Sequence, residues 1–277
     1  MKKMILTLSC QDDFGIVAAV TTFLFDHGAF ITELSQYGDP STKQFFLRTE
    51  FETENDPKEQ FYLIAKKFNM DFLFRDCDYK PKVVILVSKQ SHCLNDLLHR
   101  AQTGELQIEV KAVISNHPDL EQMAKWHSVP FHYLPLTQET KPEQEKALMK
   151  IIDDANCDLV VLARYMQILS SELCQKLSGK AINIHHSFLP SFKGAKPYHQ
   201  AYDRGVKIIG ATAHYVTSDL DEGPIIAQET THVNHTHLPK DLVSMGCDNE
   251  NRTLAKAVKL HTQMRVLLDG HKTVIFE

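Results

Sequence analysis

Lys82–Val87 reads KVVILV, and the pattern around it decides the fold. A strand that faces water on one side alternates polar and apolar residues. An unbroken apolar run marks a strand covered on both faces. Downstream the chain alternates. Cys93–Gln102 has helical spacing, Glu109–Ile114 is extended, Leu120–Lys125 is helical and Phe131–Leu134 is extended. Pro142–Asn156 is helical again, and Leu159–Ala163 is extended. Strands and helices in alternation predict a doubly wound, mostly parallel sheet. Strands at Ala181–Ile184, Lys207–Tyr215 and Ile225–Thr231 and a long helix over Asp241–Leu268 complete the reading. Such sheets bind ligands beyond the carboxyl ends of their strands. Chemistry is therefore expected in the loops after Val87, Ala163, Ile184 and Tyr215.

Working back from Lys82, the polar stretch Arg75–Pro81 reads as a linker, and the first eighty residues have a different rhythm. Met4–Ser9 is a strand, Ile16–Asp26 an amphipathic helix followed by Gly28 as a cap, and Ala29–Gln36 and Gln44–Phe51 are strands joined through Gly38–Asp39–Pro40. Helix Pro57–Phe68 and strand Met70–Phe74 give the order βαββαβ. This predicts a ferredoxin-like antiparallel sheet with helices on one face. The fold class is α/β in two domains, 1–78 and 82–277.

Composition narrows the function. With 43% hydrophobic and 23% charged residues and a net charge of -5 over 277 residues, the chain reads as globular, with no basic footprint for nucleic acid. No stretch approaches a membrane span. The six cysteines form no CxxC pair, and a chain of this length needs no disulfide staples. A reduced, cytoplasmic setting is expected.

Two segments carry candidate chemistry. In Ala181–Gly194, AINIHHSFLPSFKG, Asn183 and His185 lie two apart and so share one face of a strand. An amide and an imidazole buried there need hydrogen-bond partners, which a binding site would supply. In Ala213–Ile226, AHYVTSDLDEGPII, the acids Asp219, Asp221 and Glu222 precede Gly223–Pro224. They form a solvated turn or, on the sharper reading, one acid turns towards His185 and raises its proton affinity. His232, His235 and His237 lack partners at metal-ligand spacing and read as a solvated loop. Lys193 and Arg204 read as ordinary surface cations, and no metal is expected.

From NIHHSFLPSFKGAKPYHQAYDRGVKIIGATAHYV to DLDEGPII, the chain resembles the catalytic core of the folate-dependent formyltransferase family, and the likeness runs from about Lys82 to the end. The resemblance implies that Asn183, His185 and Asp221 are catalytic. Asn183 and a protonated His185 would donate to the oxyanion formed at a formamide carbonyl. Asp221 would hold His185 charged and take or relay a proton through a bound water. It further implies that Met166, Gln167, Ile168 and Leu169, with Leu162, line the folate slot together with Thr217 and Asp219. The folate is substrate, and no cofactor is expected.

Members of that family move the formyl group to an amine or to water. Transfer to a phosphorylated amine calls for a glycine-containing phosphate cradle after the first strand. Here Ser88–Lys89–Gln90–Ser91–His92–Cys93 has no glycine. That loop, His185–His186, the run Gly194–Gln200 and Asp221–Pro224 resemble the hydrolytic branch. The resemblance therefore implies hydrolysis of 10-formyltetrahydrofolate to tetrahydrofolate and formate, balancing the one-carbon pool and supplying purine synthesis. Transfer to an amine, or a decayed catalyst that senses amino acids, are the alternatives. Cys10–Val17 and His27–Ala29 resemble the ACT family of amino-acid-binding, chain-pairing modules. This implies an effector at Asp13, Gly15 and Ile16 and a homo-oligomer. Phe30 stands where that family often has a ligand-contacting Asn.

Overall fold

The computed structural model describes residues 1–137, 139–189 and 197–277, so Lys193 and the motif residues Gly194–Lys196 lie outside the described residues. These residues divide into two compact units. One is Met1–Tyr79 with Gln263–Glu277, the other Lys80–Thr262.

In the first unit β1 (Lys2–Gln11), α1 (Ile16–Asp26), β2 (Phe30–Gly38), β3 (Gln44–Thr53), α2 (Lys58–Phe68) and β4 (Asp71–Asp76) follow the expected order. Their strands pair antiparallel in the order β2-β3-β1-β4. Met4, Leu6, Leu8 and Cys10 alternate along β1 into a core shared with Val20, Phe23 and Phe61 of the helices. On β3, Phe45, Leu47 and Phe51 join that core. Phe46 and Arg48 fall on the opposite pleat, yet both are buried. The buried Arg48 guanidinium donates to the Gln263 carbonyl at 3.2–3.3 Å and pairs with Glu33 at 3.2 Å and Glu50 at 2.5 Å. Arg265 makes two 2.9 Å bonds to the Glu33 carboxylate.

The chain's last residues therefore belong to this unit, which corrects the expectation that 82–277 is one domain. The long helix also ends earlier than expected. Met264 turns left-handed (φ 54°), and β12 (Val266–Asp269) and β13 (Lys272–Ile275) pair as an antiparallel hairpin. Its signal was the Asp269–Gly270 dipeptide between two apolar runs, with Gly270 at φ 60°.

The second unit contains β5 (Lys82–Val87), α3 (His92–Thr103), β6 (Glu109–Ser115), α4 (Glu121–Trp126), β7 (Phe131–Tyr133) and α5 (Lys141–Asp154). There follow β8 (Leu159–Leu162), α6 (Ser171–Lys176), β9 (Ala181–His185), α7 (Pro197–Asp203), β10 (Ile208–Tyr215), β11 (Ile225–His232) and α8 (Pro239–Thr262). The sheet order is β11-β10-β9-β8-β5-β6-β7. The five strands from β9 to β7 run parallel, and β10 runs antiparallel to both its neighbours. Val83–Val87 are completely buried, as the KVVILV run requires. The chain leaves β5 towards β6 and returns on its other side as β8. The strand order reverses between these two, a point at which open sheets of this kind commonly bind ligands. The short helix α6 was not expected; Ser170 caps it, accepting from the Leu173 amide at 3.2 Å.

Candidate active site

Asn183 and His185 stand at the end of β9 on one face, as their spacing predicts. Opposite them across the antiparallel pairing stand His214 and Thr212 of β10. Asp221 comes from the turn after β10. It holds a left-handed backbone (φ 58°), which Asp tolerates better than most residues. Gly223 makes that turn possible. A Cβ there would lie 1.8 Å from the Tyr215 carbonyl oxygen, so the turn folds onto β10 only without a side chain. The Tyr215 amide donates to the Pro224 carbonyl at 2.9 Å and fastens it.

These elements bring four polar side chains together. His185 Nδ1 is 3.2 Å from Asp221 Oδ2. His214 Nδ1 donates to the Tyr215 carbonyl at 2.9 Å, which leaves Nε2 as the acceptor. The Asn183 amide donates to that Nε2 at 3.3 Å. The bond fixes which end of Asn183 is nitrogen, and the second amide hydrogen remains to donate elsewhere. His214 Nε2 also lies 3.7 Å from Asp221 Oδ1. The hydrogen bond from His185, and then the neighbouring imidazole of His214, hold the Asp221 carboxyl well below the usual carboxylate range, against the effect of its burial. His185 Nε2 is buried without a hydrogen-bond partner among the described residues. An unpartnered buried nitrogen costs roughly 1–3 kcal/mol, so a group that bonds it on binding is favoured.

The four residues stand in a cleft of about 260 Å³, also lined by Leu162, Met166, Gln167, Ile168, Leu169, Thr217 and Asp219. The structure thus gathers every residue expected at the catalytic and folate positions around one cavity. Met166 and Ile168 are 58% and 62% exposed, an apolar lip at its edge. In the first unit Asp13, Gly15 and Ile16 share a separate surface cleft with Gln36, Tyr37 and Gly38. Asp13 is already used as a local acceptor, taking the Phe14 amide at 2.7 Å.

Sequence reading missed three members of the main site. His214 had one signal, a lone imidazole in the apolar strand GATAHY, and its role needed the strand pairing to be seen. His186 stacks on His185 with ring centroids 4.9 Å apart. Burial, then Arg164, then His185 push its pKa down to about 4, so it is neutral near pH 7. Arg164 lines the cleft and is bound from behind by Glu250 at 3.3 Å. Glu250 is 1% exposed and also accepts from His92 Nε2 and Tyr198 Oη, both at 2.8 Å. Its carboxyl is lowered although burial raises it, because His92 and Arg164 outweigh burial. Among the described residues, His92, Cys93 and Glu250 are the one group whose donor atoms could converge on an ion. The Arg164 guanidinium and the His92 and Tyr198 hydrogen bonds already occupy the carboxylate, so the set reads as an ion cluster.

The Formyl transferase family model matches residues 81–258, within the second unit. A curated relative named formyltetrahydrofolate deformylase, from Corynebacterium sp. (strain P-1), is 52% identical over 98% of this chain and 97% of its own. The chain belongs to the formyltetrahydrofolate deformylase family. The solved structure of the deformylase from Burkholderia mallei superposes over 100% of both chains, with a TM-score of 0.97 at 46% identity. A phosphoribosylglycinamide formyltransferase from Anaplasma phagocytophilum covers 72% of this chain and 96% of its own, with a TM-score of 0.66 at 32% identity. Deformylase likeness therefore extends over both units, whereas the transferase matches less of the chain. Among the described residues, no helix is long and apolar enough to cross a membrane.

Proposed function

We propose that this chain hydrolyses 10-formyltetrahydrofolate to tetrahydrofolate and formate, with Asn183, His185 and Asp221 as catalytic residues. The observation that carries the reading is the ionised Asp221 on His185 Nδ1, which leaves a buried, unpartnered Nε2 in an apolar-walled cleft. The formyl carbonyl oxygen sits against His185 Nε2–H and the free amide hydrogen of Asn183. Both donate to it more strongly as it becomes an oxyanion. The Asp221 carboxylate, 3.2 Å from Nδ1, attracts the positive charge that the ring carries in that state. A water oxygen bonds to the formyl carbon. The proton it loses passes by way of Asp221 to N10, the carbon–N10 bond breaks, and the new carboxyl group gives its remaining proton to solvent, leaving formate. The pterin lies against 166–169 and 217–219, and the rest of the folate leaves over Met166 and Ile168. Released formate and tetrahydrofolate return to the one-carbon pool and to purine synthesis.

The first unit acts as an ACT-type regulatory and pairing module. Its strand order β2-β3-β1-β4 and its cleft at the start of α1 support this reading. Gly15 begins α1 with no side-chain cap, and uncapped amides with the helix dipole favour a carboxylate. Phe14, Phe25 and Phe30 are strongly exposed, as a surface that pairs with a second copy would be.

The test is formate release from 10-formyltetrahydrofolate in buffer without an amine acceptor, with and without glycine or methionine. Rapid release of both products supports the hydrolase. Absence of release overturns it. A change in rate with either amino acid supports a sensing role for the first unit.

A further inference from the structure

We propose that Arg164 and His186 form a wall that keeps amines away from the formyl carbon, and that Glu250, Tyr198 and His92 hold this wall in place. The proposal rests on the hydrolytic reading above and concerns why water is the acceptor. Transfer and hydrolysis differ only in the nucleophile. In transfer an amine nitrogen would bond to the formyl carbon and lose a proton, while the carbon–N10 bond broke and N10 gained one. Selection between the two must therefore lie in what can approach that carbon.

An acceptor would enter through the crevice at the strand reversal, between the loops after β5 and β8. That crevice is stitched shut. Arg164, from the β8 loop, donates through Nε to Gln90 Oε1 of the β5 loop at 2.6 Å. The Met166 amide donates to Ser88 Oγ at 3.0 Å, and Ser88 donates to Asn116 Oδ1 at 2.7 Å. His186 continues the wall beside His185, with Tyr198 behind it at 6.4 Å between ring centroids.

The support is a built feature of the interior. Glu250 is buried and receives Arg164, His92 and Tyr198 together. Tyr198 can lie there only because residue 246 of α8 is glycine, since a Cβ would meet its ring at 2.1 Å. Buried ion clusters seldom gain stability over apolar packing, so this one calls for a functional reason. Arg164 also holds a left-handed backbone (φ 63°), the kind of strain that collects at functional sites. Its guanidinium repels alkylammonium acceptors, while neutral water is small enough to pass.

The test uses the full chain and 10-formyltetrahydrofolate labelled in the formyl carbon, with glycinamide added. The label is partitioned between formate and the formylated amine, after subtraction of the uncatalysed reaction. This ratio does not depend on how much protein is folded. Arg164→Ala opens the wall and leaves Glu250 with His92 and Tyr198 as donors. Gly246→Ala displaces Tyr198 and keeps both wall residues. Wild type is expected to form formate with at most a trace of formylated amine, and each variant to raise the amine share on the order of tenfold or more. An unchanged ratio in both variants overturns the proposal. So does a loss of formate release with no gain of amine product, which would make the cluster a support of catalysis only. Wild type that releases no formate would overturn the hydrolytic reading itself.

Discussion

Replacing Asp221 with Asn keeps the shape of the side chain and removes its charge. At 3.2 Å from His185 Nδ1, a unit charge pair is worth about 5 kcal/mol at an effective dielectric of 20. The Asp221 side chain is 20% exposed, and solvent screening roughly halves that figure. A loss of about 2.5 kcal/mol in the transition state, at 1.36 kcal/mol per decade, is roughly a 100-fold fall in kcat. The amide can also present a donor to Nδ1 and impose the wrong tautomer, which takes the loss towards 10³-fold or beyond. KM should change little, because Asp221 faces the reacting group. The carboxyl's depressed pKa means that its charge stabilises the fold above the unfolded value of 3.8, and that this is lost as pH falls through the native value. The Asn variant forgoes that contribution at neutral pH and should melt a few degrees lower while still folding. Steady-state formate release and a thermal melt measure both effects. Formate release above a tenth of wild type in a folded variant would refute the role assigned to Asp221.

Other perturbations address the scaffold. Gly223→Ala drives a Cβ to within 1.8 Å of the Tyr215 carbonyl oxygen; it should destabilise by about 1–3 kcal/mol and abolish most formate release, since the turn carries Asp221. His186 titrates near 4 when folded and 6.5 when unfolded, so the unfolded chain binds the extra proton. Stability should be full above pH 6.5 and fall by about 3 kcal/mol as pH drops from 6.5 to below 4; denaturant melts across that range should show His186→Asn with a flatter limb. Arg265→Ala removes both bonds to Glu33 beside the buried Arg48. It should destabilise the first unit by about 3 kcal/mol, seen as faster proteolytic cleavage within Met1–Tyr79 and little change within Lys80–Thr262.

Much of this architecture was legible from local pattern. KVVILV could only be a doubly covered strand, and the helix Ile16–Asp26 was read with the bounds it has, because apolar periodicity and glycine positions are local properties. The face shared by Asn183 and His185 follows from the period of a strand. Leu162, Met166–Leu169 and Thr217–Asp221 were reached through resemblance, because apolar residues at strand ends look the same whether they pack or bind. Long-range pairing decided the rest. His214 became part of the site because β10 runs antiparallel to β9 and sets it opposite Asn183. Arg164 and Glu250, 86 positions apart by their numbers, met only when the loop after β8 and helix α8 came together in the fold. The last fifteen residues, Gln263–Glu277, belong to the first unit, where Gln263 and Arg265 supply polar partners to the buried Arg48 and to Glu33. Charge partners and cross-strand neighbours depend on chain segments far apart in sequence, so no periodicity announces them, and only the folded chain supplies the burial that makes them strong.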